Sequence, residues 1–192
     1  AGLPEVKSED AESGTQIHAV LANSGETALL QRLTLEQREM FDRCREVEKK
    51  ISAQMFPDQG PTAPMRVFRE VKLWCKLPKV SGDASSPHFE HSGTPDVVMR
   101  CGNQALIIDY KSGNNEAPES PKNMQLRDLA VLARGNYFVS EVAVVVIQPL
   151  VTMDPEVCVY SQDDLIRAEK EMFERVRRSN NPDSPRYAGE TQ

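Results

Sequence analysis

The sequence lacks the features that mark membrane-spanning and zinc-binding proteins. No apolar run approaches the ~20 residues that a membrane helix requires, and no charged-then-apolar leader opens the chain. Internal repeats and long low-complexity segments are also absent. The four cysteines form no C-x-x-C pair, which argues against a zinc site and predicts reduced thiols: Cys44, Cys75, Cys101 and Cys158. We therefore expect a soluble, intracellular protein.

An excess of basic charge is missing as well. The formal net charge is -6, whereas proteins that coat nucleic acid depend on Lys and Arg to bind phosphate. This balance does not exclude DNA as a partner, because an acidic protein can still hold DNA through a local basic patch. The 192 residues, 39% of them hydrophobic, predict one globular domain over residues 1–192, with an irregular lead-in at 1–13 and an irregular tail at 179–192.

Two short apolar runs flank a Gly-Asn turn near the middle of the chain and predict a β-hairpin, with strands at about 95–100 and 104–110. Asp96 opens the first strand, and Asp109 and Lys111 close the second. Side chains alternate along a strand, so Asp109 and Lys111 point to the same face, roughly 6–7 Å apart along the chain. Two carboxylates and an ammonium group at one edge could hold a hard divalent cation and leave the lysine to handle a water or a phosphate.

These residues resemble the signature of the PD-(D/E)XK nucleases, and the stretches GTPDVV and IIDYKSG resemble the RecB-like branch in particular. The resemblance implies that Asp96, Asp109 and the backbone carbonyl of Tyr110 bind Mg²⁺ or Mn²⁺. It implies that Lys111 orients or activates the attacking water. It also implies that His18 completes the metal site, since GTQIH matches the family's GT-x-x-H helix. Without the resemblance, a lone histidine there is better interpreted as an ordinary helix-surface residue.

Two further residues become catalytic candidates only through the resemblance. Glu70 lies in a predicted strand where RecB-like enzymes often carry a glutamate near the metal, although a charged residue there is more often solvent-facing. Gln125 lies in the first turn of a predicted helix and matches the glutamine of the family's Q-x-x-x-Y motif, near the DNA backbone. Leu129 stands at the tyrosine position, which departs from that pattern. His88 and His91 precede the PD strand and are interpreted as exposed strand-edge histidines.

Helical and strand patterns alternate along the chain, which predicts an α/β fold. Helices are expected around His18, at 34–55 behind a capping box, and from Ser161 to about Arg178. A continuous β-branched run at 142–149 predicts a strand buried on both faces. A short edge strand is expected at 156–160. We expect a central mixed sheet flanked by helices, the restriction-endonuclease-like core, in which these strands and helices pack together: strands 65–74, 95–100, 104–110 and 142–149, and helices 34–55 and 122–134.

The resemblance implies a metal-dependent DNA nuclease that hydrolyses phosphodiester bonds. We expect an exonuclease of DNA recombination, repair or phage DNA metabolism, in the cytoplasm of a bacterium or of a phage's host. Two alternatives stay open: a catalytically inactive nuclease-fold domain that serves DNA binding or assembly, and an unrelated small α/β binding domain. Retention of Asp96, Asp109 and Lys111 argues against the inactive domain, because an idle site does not require such crowded charges.

The ends of the chain suggest a further expectation by the same resemblance. Many RecB-like relatives begin with a Cys-Pro-Gly segment and finish with a cysteine cluster that can hold an iron–sulfur site. We expect this chain to be part of a longer protein, with an iron–sulfur cluster only if that longer protein supplies the cysteines.

Overall fold

The computed structural model describes residues 9–23, 26–57, 64–77, 90–113 and 117–180. His88 and the predicted tail beyond Asn180 lie outside these ranges. The elements, in chain order, are α1 (Glu9–Ala22), α2 (Thr27–Leu30), α3 (Leu35–Met55), β1 (Arg66–Arg69), β2 (Leu73–Lys76), β3 (Glu90–Gly93), β4 (Val97–Cys101), β5 (Gln104–Tyr110), α4 (Met124–Tyr137), β6 (Glu141–Ile147), β7 (Cys158–Tyr160) and α5 (Gln162–Asn180), with one 3-10 turn at Ser120–Lys122 before α4.

Five strands form one sheet in the order β1-β4-β5-β6-β7. Strands β5 and β6 run parallel and the other neighbours run antiparallel, so the mixed sheet is confirmed. The β4–β5 hairpin turns at Gly102, whose φ of 56° is a left-handed conformation that favours glycine. Residues Val142 to Ile147 of β6 are buried throughout, as the β-branched run predicts for a strand covered on both faces.

Helices cover both faces of this sheet. On one face, α1 and α3 share an apolar cluster with alternate residues of the strands, including Ile108. On the other, α4 and α5 share a cluster that includes Ile107. Because side chains alternate along β5, consecutive residues enter opposite cores. Packing on both faces of β5 therefore fixes the positions of the residues at the end of this strand.

The predicted strand at 65–74 is wrong as a single strand. Strand β1 ends at Arg69, Glu70 adopts a left-handed backbone with φ of 50°, and the chain leaves the main sheet. Strand β2 then pairs with β3 in a separate two-stranded sheet that packs on α4. Phe68 of β1 and Leu73 of β2 still pack in the same apolar cluster, so the chain changes its strand partner and not its core. Strand β3, which directly precedes the PD segment in the chain and was not predicted, supplies that partner.

Element ends differ from the prediction in several places. Helix α1 already begins at Glu9 within the expected irregular lead-in, and α5 extends to Asn180 into the expected tail. Helix α2 was not predicted, since four residues carry too little periodicity to be detected. The predicted capping box of α3 is confirmed, with Thr34 Oγ1 accepting from the Gln37 amide at 3.2 Å, and Ser161 and Asp164 form a similar pair at the start of α5. No helix within the described ranges is long and apolar enough to cross a membrane.

Helix α4 continues past the expected end at residue 134 to Tyr137, and its C-cap residue Phe138 adopts a left-handed conformation with φ of 54° and is 87% exposed. Glycine takes this conformation without a Cβ clash. Phe138→Gly should therefore raise the free energy of unfolding by about 0.5–2 kcal/mol in a denaturant titration. Phe138→Ala removes the same exposed ring but keeps a Cβ, so it should give no comparable gain. Equal effects of the two substitutions would show that the backbone conformation is not responsible.

Candidate active site

The register of the β4–β5 hairpin places two aspartates side by side at one edge of the sheet. Val97 pairs with Ile108 across the hairpin, so the next residues outward, Asp96 and Asp109, are level with each other. Asp109 is the last residue but one of β5, and Asp96 immediately precedes β4. The hairpin thus brings together two carboxylates that are separated along the chain.

Asp96 is held by two groups from different elements. Its Oδ2 accepts a hydrogen bond from the backbone N–H of Tyr110 at 2.6 Å, and its Oδ1 lies 3.5 Å from His18 Nδ1. Burial raises the pKa of Asp96, but the hydrogen bonds from His18 and the Tyr110 amide outweigh it, and the pKa lies below its usual value. The hydrogen bond to Asp96 raises the pKa of His18 despite partial burial. The structure therefore favours an ionised Asp96 beside a basic imidazole.

Asp109 has the opposite electrostatic environment. It is only 6% exposed, and burial raises its pKa above the usual value although Lys111 pulls in the other direction. Lys111 Nζ lies 2.8 Å from Asp109 Oδ2, which places both side chains on one face as predicted from strand alternation. This oxygen makes no hydrogen bond of regular geometry within the described residues. Asp109 is thus a buried carboxyl group whose charge is incompletely compensated.

Glu70 approaches the same edge from β1. Its backbone N–H donates to the Asp96 carbonyl at 3.1 Å, so the left-handed turn is tied directly to the PD segment. Burial and the neighbouring charge of Asp96 raise the pKa of Glu70. Non-glycine residues in left-handed conformations are costly and concentrate where function requires them. The strained turn therefore brings a third carboxyl group to the site.

Gln125 lies apart from this group of charges. It is exposed in the first turn of α4 and lines a cavity of about 210 Å³ between α4 and β3, which also contains His91 and Thr94. His91 is half-buried and not a free strand-edge residue, because its Nε2 lies 3.6 Å from Asp128 Oδ2. Thr94 precedes Asp96 by two residues in the chain, but Asp96, Asp109 and Lys111 do not line this cavity.

Two buried polar residues outside the motifs also support the site. Glu48 of α3 contacts Tyr110, and Gln148 accepts from the Ala117 amide at 3.1 Å and donates to the Gly113 carbonyl at 2.6 Å. Both carry a sequence signal. Glu48 is four residues after Cys44 on the apolar stripe of its helix, and Gln148 is a polar residue in the buried run after β6. A polar residue at a core position indicates a specific partner.

Gly14, which lies within α1 four residues before His18, occupies a position where a side chain would not fit. A Cβ at this position would overlap the Ser112 hydroxyl, which lies directly after Lys111. The missing side chain lets α1 approach the segment that follows β5, and His18 lies one turn further along the same helix. The position of His18 beside Asp96 depends on this close packing.

The donor groups at the edge are of the kind that hard divalent cations bind. Mg²⁺ is usually bound by one or two carboxylates and keeps several waters or phosphate oxygens, so it needs no complete protein cage. Asp96 and Asp109 supply two carboxylates, with His18 and the Tyr110 carbonyl nearby. Within the part of the chain that the structure describes, no three His, Cys, Asp or Glu side chains converge closely enough to enclose an ion by themselves. Such an open arrangement suits an ion that shares its ligands with a substrate.

Comparison with known proteins identifies the family. The family model of the PD-(D/E)XK nuclease superfamily matches residues 1–190, so the chain belongs to this superfamily, and its mixed sheet flanked by helices is the restriction-endonuclease-like core. The solved structure of SSO0001 is similar, with 15% identity, a TM-score of 0.35, and coverage of 96% of this chain and 82% of that one. A Eubacterium rectale protein provisionally named an exonuclease shows 10% identity, a TM-score of 0.40, and coverage of 93% and 71%. No curated protein matches the chain.

The contact between Gly14 and Ser112 can be measured by a double-mutant cycle. In a Ser112→Ala background, Gly14→Ala should raise the free energy of unfolding by about 0.5–1 kcal/mol, because alanine is the better helix former. In the presence of Ser112 the same change should lose this gain, since overpacking costs about 1–3 kcal/mol. Denaturant titrations of the four proteins give the coupling energy. A coupling below about 0.3 kcal/mol would show that the two positions do not touch.

Proposed function

We propose that this chain is a divalent-metal-dependent deoxyribonuclease that hydrolyses phosphodiester bonds. The observation that carries the proposal is the convergence of Asp96, Asp109 and Lys111 at one sheet edge, with Lys111 Nζ 2.8 Å from Asp109 and His18 3.5 Å from Asp96. Two carboxyl groups of the nuclease signature would repel each other there without a compensating cation. Membership of the PD-(D/E)XK superfamily supports a nuclease activity.

Some of these residues would bind the metal ion, and Lys111 would act on the attacking water and the phosphate. Asp96, Asp109, the backbone carbonyl of Tyr110 and the His18 imidazole would hold Mg²⁺ or Mn²⁺. The bound ion would supply Lewis-acid stabilisation of the negative charge that develops on the phosphate. Since Asp96 is favoured in its ionised form and Asp109 is incompletely compensated, both carboxyl groups are prepared for a cation.

Lys111 would act on the water and the phosphate. Its side chain is 41% exposed, so the ammonium group can contact solvent while its stem stays fixed beside Asp109. The Lys111 amide donates to the Ile147 carbonyl at 2.9 Å, which continues the β5–β6 ladder past Tyr110 and holds the backbone in place. A fixed ammonium group lowers the barrier by orienting the nucleophile and stabilising developing charge. Glu70 is assigned a supporting catalytic role, and Gln125 a contact with the DNA backbone.

We assign an exonuclease mode, in DNA recombination, repair or phage DNA metabolism, because GTPDVV and IIDYKSG resemble the RecB-like branch. Linear and circular DNA, single- and double-stranded, incubated with Mg²⁺ or Mn²⁺ and resolved on gels would test this mode. Loss of linear DNA with circular DNA intact supports it, whereas cleavage of circular DNA indicates an endonuclease. A protein that binds DNA but cuts none of these substrates would instead be an inactive nuclease-fold domain.

Substitutions at the sheet edge should separate metal binding from chemistry. Asp96→Asn and Asp109→Asn should lower cleavage by about 10²-fold or more, as expected when charge stabilisation at a phosphate is lost. Lys111→Ala should lower cleavage as strongly but leave Mn²⁺ binding in calorimetry, because the ammonium group is not a ligand. The control is Asp154→Asn, whose aspartate pairs with Lys50 on the exposed surface. Full activity in both Asp109→Asn and Lys111→Ala would place the active site elsewhere.

Metal binding should also stabilise the fold in the absence of DNA. At a metal concentration about 100 times the dissociation constant, mass action adds about 2.7 kcal/mol to the free energy of unfolding. For a chain of this length that corresponds to an increase in Tm of several degrees, about 2–4 °C per kcal/mol. Thermal unfolding with Mg²⁺ or Mn²⁺ measures this change. Asp109→Asn should reduce it, and an equal increase in wild type and Asp109→Asn would contradict the assigned ligands.

A further inference from the structure

A second group of charges lies beneath the candidate site, in the core between α3 and the sheet. Glu48 of α3 is 4% exposed, although its neighbours Val47 and Ile51 belong to the apolar cluster on that face. Its Oε1 accepts from Arg69 Nη2 at 2.6 Å and its Oε2 accepts from Arg45 Nη1 at 2.6 Å. A buried carboxylate is costly unless it is paired in this way.

The same carboxylate binds the strand that carries the signature residues. Tyr110 is 2% exposed, and its hydroxyl donates a hydrogen bond to Glu48 Oε2. Because side chains alternate, the Tyr110 ring points into this core while Asp109 and Lys111 point to the other face. The phenol contact therefore fixes the rotation of the strand at the residue between the two functional side chains.

The two strands that Glu48 contacts, β1 and β5, both end at or next to a residue whose backbone amide donates a hydrogen bond to Asp96. The Tyr110 amide donates to Asp96 Oδ2 at 2.6 Å. Arg69 is the last residue of β1, and the next amide, that of Glu70, donates to the Asp96 carbonyl at 3.1 Å. The buried carboxylate thus anchors the two segments whose backbone amides hold the PD aspartate from either side.

We propose that Glu48 is a positioning residue, which acts through Tyr110 and Arg69 to fix Asp96, Asp109 and Lys111 in their mutual arrangement. This proposal rests on the nuclease function for its catalytic consequence, but its structural part concerns the metal-free protein. Glu48 contacts the site through Tyr110, whose ring also lies edge-on to the His18 ring with the two centroids 6.3 Å apart.

A purely stabilising role accounts for the cluster less well. Buried ion pairs are weak sources of stability, and apolar residues of similar volume often serve equally well or better. Arg69 Nη1 is buried without a hydrogen bond of regular geometry in the described part of the chain, so the network is not optimised for stability. A hydrogen-bonded polar network adds a directional constraint on orientation to that of close packing.

The test uses two substitutions that remove one group each. Tyr110→Phe deletes the hydroxyl and leaves Glu48 with both arginines, and Glu48→Gln keeps the volume and removes the charge. Tyr160→Phe is the matched control, because Tyr160 is also buried but lies on β7, level with Val142 at the far end of the sheet from Tyr110. The Tyr160 hydroxyl lies beside the Cys158 thiol and makes no regular hydrogen bond in the described residues.

Amide hydrogen exchange at position 110 in the metal-free protein is the first measurement. Tyr110→Phe should speed exchange of this amide relative to other β5 amides, because the strand loses its anchor and the bond to Asp96 opens more often. Mn²⁺ affinity or kcat on linear DNA should fall by about 10–100-fold, as for other residues that orient metal ligands. The KM for DNA should stay unchanged, since no DNA contact is removed.

The double variant Glu48→Gln with Tyr110→Phe separates positioning from general destabilisation. If Glu48 acts through Tyr110, the double variant should lower kcat little more than the stronger single variant does. Should Glu48→Gln fail to fold, Tyr110→Phe decides alone. Exchange at position 110 and Mn²⁺ affinity within twofold of the wild type, as in Tyr160→Phe, would overturn the proposal. A wild-type protein that cuts no DNA would refute the nuclease function, and exchange at position 110 would still decide the positioning role.

Discussion

The placement of Tyr110 is the constraint on which the rest of the site depends. Its amide holds Asp96 Oδ2 at 2.6 Å, its ring is buried against α3, and its chain neighbours are Asp109 and Lys111. One residue at the end of β5 therefore connects the hydrophobic core to three charged side chains. Alternation along a strand makes this possible, because a residue anchored on one face sets the direction of its neighbours on the other.

The two aspartates are chemically similar but electrostatically distinct. Asp96 receives hydrogen bonds from His18 and a backbone amide, and its pKa lies below the usual value. Asp109 is buried with Lys111 as its compensating charge, and its pKa lies above the usual value. The protein thus stabilises the charged form of Asp96 without a bound cation, whereas the charged form of Asp109 would be stabilised further by one. An environment that moves the pKa values of paired carboxyl groups apart is typical of sites that bind ions or transfer protons.

Departures from local conformational rules concentrate around these residues. Glu70 occupies a left-handed conformation without being glycine, and Gly14 interrupts a helix where a better helix former would be expected. Each departure brings a segment close to Asp96 or to the residues that follow β5. Glu48 adds a buried charge to an otherwise apolar cluster. Proteins tolerate such local costs where function requires a particular geometry, and fold stability is supplied elsewhere.

The sequence by itself determined the hairpin, the buried β6 strand and the capped α3 helix, because these depend on short-range periodicity and turn chemistry, while the signature residues were indicated by resemblance to the family. Only the tertiary structure decided that residues 65–74 divide between two sheets, since pairing with β3 is a long-range contact that alternation cannot reveal. The hydrogen bond between Tyr110 and Glu48 is also a long-range contact, because the two residues are 62 positions apart in the chain. Periodicity showed which residues are buried, whereas the partners of buried polar groups follow from how helices and strands pack together.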